Sequence, residues 1–192
     1  MYKKILLIGI LITILGIAGY GCWKKISMVK VLGEAQITVY EKGKKKSLDP
    51  RSPYFKELQL ACEEMLTSGK SLGLKSLPDL EEVRNKEWAI ELTYAKPIKV
   101  HLNSGENIRL VQLLIPLTGN WSEIKLGGEF SQIGGFPEGT YVTIFALPPE
   151  KIPALEISAE YWFTPVATRK DIDRIKDILI QFNVKVPYQR FK

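Results

Sequence analysis

Hydrophobic and polar positions divide the chain into one unbroken apolar run and a longer stretch of changing periodicity. Ile5–Ala18 holds only Ile, Leu, Gly, Thr and Ala, and the apolar character continues through Gly19–Cys22 to Trp23. Nineteen residues from Ile5 to Trp23 at about 1.5 Å each give roughly 28 Å of helix, close to the hydrocarbon thickness of a bilayer. Lys3 and Lys4 stand before the run, and Lys24 and Lys25 close it. The pattern predicts a short cytoplasmic tail (1–4), a transmembrane helix or signal anchor (5–23), a juxtamembrane linker (24–34) and an extracytoplasmic domain (35–192).

Beyond the linker the periods alternate between two and 3.6. Ala35–Tyr40 is rich in β-branched residues and reads as a strand, and Glu41–Pro50 as a lysine-heavy turn or loop. Ser52-Pro53 opens a helix whose Phe55, Leu58, Cys62, Met65 and Leu66 share one face, with Gly69 ending it. Lys70–Lys86 reads as a loop with a short helical turn after Pro78. Trp88, Ile90, Leu92 and Tyr94 then alternate with Ala89, Glu91 and Thr93, which marks a strand with one buried face. After Lys96-Pro97, Ile98, Val100 and Leu102 alternate with Lys99, His101 and Asn103, and Ser104–Asn107 makes a turn.

Ile108–Ile115 and Thr140–Leu147 are apolar on both sides, as central strands are, and Gly127–Gly139 between them is a glycine-rich loop. Leu155, Ile157, Ala159, Tyr161 and Phe163 alternate in a further strand. The last helix is the clearest: Thr168 caps it, Asp171 completes a capping box, and Ile172, Ile175, Ile178, Leu179 and Phe182 form its stripe. Short consecutive strands between two helices predict an α+β domain. Its sheet is antiparallel or mixed, of about five to six strands, with two helices packed on one face.

The N-terminal run carries further detail. Tyr20 and Trp23 stand where an interfacial aromatic belt belongs, with Lys24 and Lys25 at the headgroups. The short basic tail favours the N-terminus inside and the domain outside. Gly19-Tyr20-Gly21-Cys22 loosely resembles a bacterial lipobox, which implies an alternative in which acylated Cys22 anchors the chain. The lipobox family wants an aliphatic residue where Gly19 stands and a small one where Tyr20 stands. Gly9, Thr13 and Gly16 share one helix face, a small-residue stripe through which two copies can pack.

Charge changes the picture less than its total suggests. The chain has 27 basic and 21 acidic residues, a formal charge of +6. Lys3, Lys4, Lys24 and Lys25 flank the apolar run and no acidic residue precedes Glu34. The remainder therefore carries 23 basic against 21 acidic residues, or +2. Four of those positives crowd into Lys42–Lys46, which can touch anionic lipid heads or wall polymers or simply form a solvated hairpin tip. A near-neutral domain lacks the broad field that tracks phosphates, so nucleic acid is not an expected partner. The two cysteines, Cys22 and Cys62, form no metal or redox pair, and Cys62 falls on the apolar helix face.

Candidate chemistry is sparse. His101 is the only histidine, and it stands on the polar side of its strand, where it reads as exposed and unpartnered. Glu87 with Glu91, and Glu156 with Glu160, lie on polar strand faces, where carboxylate pairs can perform acid–base or glycosidic chemistry. The same pattern describes a wetted sheet face. Gly127-Gly128 and Gly134-Gly135 lack the Gly-Lys-Ser/Thr ending of a phosphate loop. Ser27-Met28 after an apolar span resembles the start of the type I signal peptidase serine box. That family continues with a proline and a threonine, where this chain has Val29-Lys30, so the resemblance stops at two residues. Ser27–Lys30 and Ser122–Lys125 have Ser-x-x-Lys spacing in a lysine-rich chain, and Asn120-Trp121-Ser122 is a formal glycosylation sequon.

No catalytic residue, metal site or cofactor is expected. The reading is a single-pass membrane protein of a bacterial cell envelope that presents a noncatalytic binding or interaction domain. Its partners are the lipid bilayer and another envelope protein or a second copy of itself. The alternative is a small envelope hydrolase using a carboxylate pair or a serine–lysine site.

Overall fold

The alternation that starts at Trp88 builds the strand on which the rest of the fold is laid. The computed structural model describes residues 31–71, 79–105, 107–126, 139–149 and 165–187. The expected span 5–23, with Gly9, Thr13, Gly16, Tyr20, Cys22, Trp23, and the lysines Lys24 and Lys25 after it, lies outside the described residues. So do most of the Gly127–Gly139 loop and the expected strand Leu155–Phe163. Among the described residues no helix is long and apolar enough to cross a membrane.

In chain order the elements are β1 (Ala35–Glu41), β2 (Lys44–Ser47), α1 (Phe55–Ser68), β3 (Lys70–Ser71), α2 (Leu80–Lys86), β4 (Trp88–His101), β5 (Asn107–Pro116), β6 (Ile124–Leu126), β7 (Gly139–Thr143), β8 (Phe145–Leu147), β9 (Pro165–Thr168) and α3 (Arg169–Ile180). A one-turn 3₁₀ helix, Asn120–Ser122, lies between β5 and β6. The protein is α+β, with a five-stranded antiparallel sheet in the order β2-β1-β4-β5-β8 and three helices. A second, smaller antiparallel sheet has the order β3-β9-β7-β6.

The two faces of the large sheet are filled differently. Ile37, Val39, Ile90, Leu92, Leu113 and Ile115 point to the face covered by α1 and α3, which contribute Leu58, Cys62, Met65, Leu66, Ile172, Ile175 and Leu179. Each such side chain, fully buried, is worth about 1.5–3 kcal/mol. Arg174 on α3 pairs with Glu64 on α1, tying the two helices at the surface.

The short helical turn expected after Pro78 is a third helix. It covers the opposite face, where Leu80 and Val83 pack on Tyr40, Ala89, Leu114 and Phe145. Asp79 caps it by accepting from the Glu81 N–H at 2.9 Å, so the short turn after Pro78 becomes a helix. The polar alternates of β4 therefore do not all face water.

Other boundaries differ from the pattern as well, beginning with Lys44–Ser47, which pairs as β2 inside the expected loop Glu41–Pro50. Ala95–Pro97 does not separate two strands: β4 runs through it, with the pairing to β5 shifting between Thr93 and Ile98. Proline brings no N–H to the ladder, and a register irregularity is where a strand tolerates it. α1 begins at Phe55, because Ser52 and Pro53 form the turn before it; the Phe55 N–H donates to Ser52 O. The Thr140–Leu147 run breaks at Ile144, with β7 in the small sheet and β8 in the large one. Its apolar residues bury on both sides because they serve two sheets. The capping box of α3 forms as expected, with the Thr168 N–H donating to Asp171 Oδ2 at 3.2 Å.

Candidate functional site

Burial decides which polar groups are available for chemistry. Glu91, expected on a wetted face, is sealed beneath α2, its side chain 7% exposed and that of its partner Arg84 11%. Arg84 Nε donates to Glu91 Oε2 at 2.7 Å, and the Tyr40 hydroxyl donates to Oε1 at 3.1 Å. Arg84 also reaches Glu81 Oε1 at 2.6 Å. Burial opposes the charge on Arg84, but Glu91 and Glu81 outweigh it and hold the guanidinium above its ordinary pKa. Burial, with the Glu91 charge, pushes the Tyr40 phenol up to about 12. This knot fixes α2 on the sheet and keeps the Glu91 carboxylate buried and engaged by Arg84 and Tyr40.

A second knot lies under the start of the domain. Glu63 on α1 accepts from the Leu32 N–H at 2.8 Å, from Gln59 Nε2 at 2.7 Å and from the Tyr94 hydroxyl at 3.1 Å. Gln59 Nε2 also donates to Gly33 O at 2.6 Å. Burial raises the Glu63 pKa despite these three donors. Gly33 is required by close approach, since a Cβ there would stand 2.8 Å from Ile98.

The other expected site residues are scattered. His101 is exposed as expected but not unpartnered, its Nδ1 lying 3.1 Å from Asn107 Oδ1. Cys62 is fully buried and its thiol is pushed up by desolvation, which makes it a core residue. The buried Ser122 hydroxyl donates to Gly119 O at 2.8 Å; the Lys125 side chain, Glu156 and Glu160 lie outside the described residues. No group of acidic, histidine and cysteine side chains among the described residues could hold a metal ion.

Glu87 departs most from its expected place. It is not a strand residue but the cap at the C-terminus of α2, and its carboxylate turns toward Gly119. A Cβ at Gly119 would stand 2.1 Å from that carboxylate, and Gly119 has φ of 81°. The Asn120 N–H donates to the carboxylate, but burial outweighs it and raises the pKa to about 7. Oε2 is buried without a hydrogen-bond partner. Beside it opens a hollow of about 360 Å³, lined by Lys42, Lys86, Glu87, Trp88, Thr118 and Asn120 among others.

Trp88 is shared with a second hollow of about 390 Å³, on the α1/α3 side of the sheet edge. β1 and β4 contribute Val39 and Trp88 to its lining, β2 supplies Lys44, Lys45 and Lys46, and the segment after α3 supplies Asn183, Val184 and Lys185. The β1–β2 turn that carries this wall is a two-residue hairpin with positive φ at Lys42 (46°) and Gly43 (89°). It is pinned to the C-terminus of α2, with the Lys42 N–H donating to Glu87 O at 3.1 Å and the Gly43 N–H to Arg84 O at 2.9 Å. Lys46 Nζ donates to Phe182 O at 2.8 Å, fixing the opposite wall. The lysine run is thus exposed, anchored at the backbone of its turn and, at Lys46, by its side chain. Sequence periodicity missed Trp88 and Lys185 as neighbours; the lysine cluster was the one signal for this place.

Comparison of the chain with protein-family models, with curated proteins and with solved structures yields no match.

Proposed function

We propose that this chain is a membrane-tethered protein of a bacterial cell envelope whose α+β domain works outside the cytoplasm as a noncatalytic binding module. The tether is supported by the apolar run 5–23 between lysine pairs, with acylated Cys22 as the alternative anchor. One observation carries the binding role. Glu91, Ser122 and Cys62 are sealed into the fold, whereas the open concave surface about Trp88 is edged by exposed lysines. Among the described residues, such an arrangement suits recognition.

The test begins with the full-length chain expressed with a C-terminal tag. It should pellet with membranes, resist carbonate extraction and be digested by protease added to spheroplasts. Recovery in the soluble fraction without acyl chains would sink the tether. Co-purification from detergent-solubilised membranes then identifies the partner. Crosslinking through cysteines placed at Gly9, Thr13 or Gly16 tests self-association.

A second reading, an envelope hydrolase, draws on the Glu87 carboxyl, whose pKa of about 7 suits a general acid. Turnover of an envelope substrate that Glu87→Gln abolishes, without loss of fold, would favour it over the binding module.

A further inference from the structure

We propose that the hollow between the β1–β2 hairpin and residues 183–185 binds a phosphate-bearing polyol or sugar. The phosphate is held by Lys44, Lys46 and Lys185, and the carbon skeleton rests against Trp88. The inference rests on the binding role proposed above and names the chemistry of its ligand.

The register of the hairpin sets the charges. Val39 faces Lys46 and Glu41 faces Lys44, so both lysines stand on the same side of the sheet as Val39. They are two residues apart on β2, about 7 Å along the strand. Lys45 also lines the hollow, but its ammonium is turned to the other side, 5.6 Å from the centre of the Tyr40 ring. Lys185 closes the hollow from the other wall, beside the buried Val184 and Val186 that hold its backbone down.

Lys44, Lys46 and Lys185 line one concavity, with the Lys46 ammonium also on Phe182 O, and together they give a local charge that the near-neutral total of the domain conceals. Ammonium is a compact, strongly hydrated charge that suits phosphate oxygens without demanding a flat, two-pronged acceptor. The hollow is too small for a nucleic-acid strand and of the right size for a single small unit. Two further features select among anions. Glu41 is the one carboxylate of the lining and can accept only from a donor, which hydroxyls of a polyol provide. Trp88 packs against the core on one side and lines the hollow with the rest of its surface, an apolar wall for C–H groups. A bare phosphate uses neither.

The same unit occurs as the headgroup of an anionic glycerophospholipid and as the repeat of a soluble polyol-phosphate chain, and the experiment separates the two. The full chain is placed in phosphatidylcholine nanodiscs, and its tryptophan indole N–H signals are recorded by NMR, with Trp88→Phe identifying the Trp88 signal. In one arm a short oligo(glycerol phosphate) is titrated in; in the other, the nanodiscs contain phosphatidylglycerol and no soluble probe. A saturable shift of the Trp88 signal is expected in at least one arm, and the arm that shows it names the source. Lys44→Gln/Lys185→Gln should weaken binding at least tenfold and leave the melting temperature unchanged, because both side chains are exposed. The charge-matched pair Lys56→Gln/Lys99→Gln, exposed elsewhere, should change it less than twofold.

A Trp88 signal that stays put in both arms overturns the proposal, as does equal weakening by the two lysine pairs. Failure of the chain to enter nanodiscs would count against the tether alone, because the soluble arm can still be run in neutral detergent.

Discussion

Glu87→Gln is expected to stabilise the protein at neutral and alkaline pH and to do little in acid. In the folded chain the carboxyl is half-buried against Gly119 with one oxygen unpartnered, which raises its pKa from 4.5 to about 7. The proton is therefore bound more tightly folded than unfolded. The stabilisation that comes with protonation is fully present below about pH 4.5 and is lost as pH rises through about 7. A shift of this size corresponds to a ceiling of about 3 kcal/mol at 1.36 kcal/mol per pKa step. Partial exposure lets water screen the group, so about 1–2 kcal/mol is the expected effect. Glutamine keeps an acceptor for the Asn120 N–H and removes the charge. Urea unfolding of the full chain in neutral detergent, with and without the substitution, should show a gap that opens between about pH 5 and pH 8. Glu63, whose pKa is also raised by burial, drives the same trend in both proteins and cancels in the comparison. A gap of equal size at the two pH values, or a Glu87→Gln variant that is the weaker protein at the alkaline end, would refute the reasoning.

Gly119→Ala should cost about 2–4 kcal/mol in the same unfolding assay, since it adds a clash with Glu87 to a left-handed backbone. Combining it with Glu87→Ala should return part of that loss, and no recovery would leave the backbone alone responsible. Arg84→Met strands a buried carboxylate and should cost about 3–5 kcal/mol; Arg84→Met with Glu91→Leu removes both charges and should recover much of it. Additive losses would mean the pair is not coupled. Glu63→Leu takes the acceptor from three donors and should cost about 2–4 kcal/mol, with amide exchange at Leu32 speeding up markedly. Unchanged exchange at Leu32 would show that Glu63 does not hold that segment.

The legible parts of this fold were those set by local periodicity, and the illegible parts were those set by what lies opposite. The stripes of α1 and α3, the capping box at Thr168 and the alternation of β4 are properties of a few consecutive residues, and the structure has each of them. Whether Glu91 meets water depends instead on α2, whose seven residues carry only Leu80 and Val83 as buried apolar positions. Nothing in the period of β4 announces that cover. Ile144 is ambiguous for a related reason, because a run apolar on both faces is as consistent with two sheets as with one central strand. Glu87 read as a strand residue because it precedes the alternation by one position. Its role as the end of α2 follows only once that helix exists.

The Trp88 hollow lies at the far end of this scale. Its walls come from residues 39–46, from the first residue of β4 and from residues 183–185, three stretches that a linear pattern never juxtaposes. Alternation assigned Trp88 to the buried face, and the assignment is right for the side of the indole that meets the core. At the first position of a strand, however, neighbouring elements cover a side chain incompletely, and a large ring there remains part-exposed. Charge arithmetic misled in the same way. A sum of +2 over the domain argues against a polyanion-tracking surface, yet it says nothing of lysines gathered in the lining of one concavity. Binding of a small anion depends on local potential over about one Debye length, roughly 8–10 Å, and not on the total. A domain can thus be near neutral as a whole and still hold one phosphate group firmly, provided the lysines that do so are fixed. Here the backbone bonds of Lys42 and Gly43 to the end of α2, and the bond of the Lys46 ammonium to Phe182 O, supply that fixing.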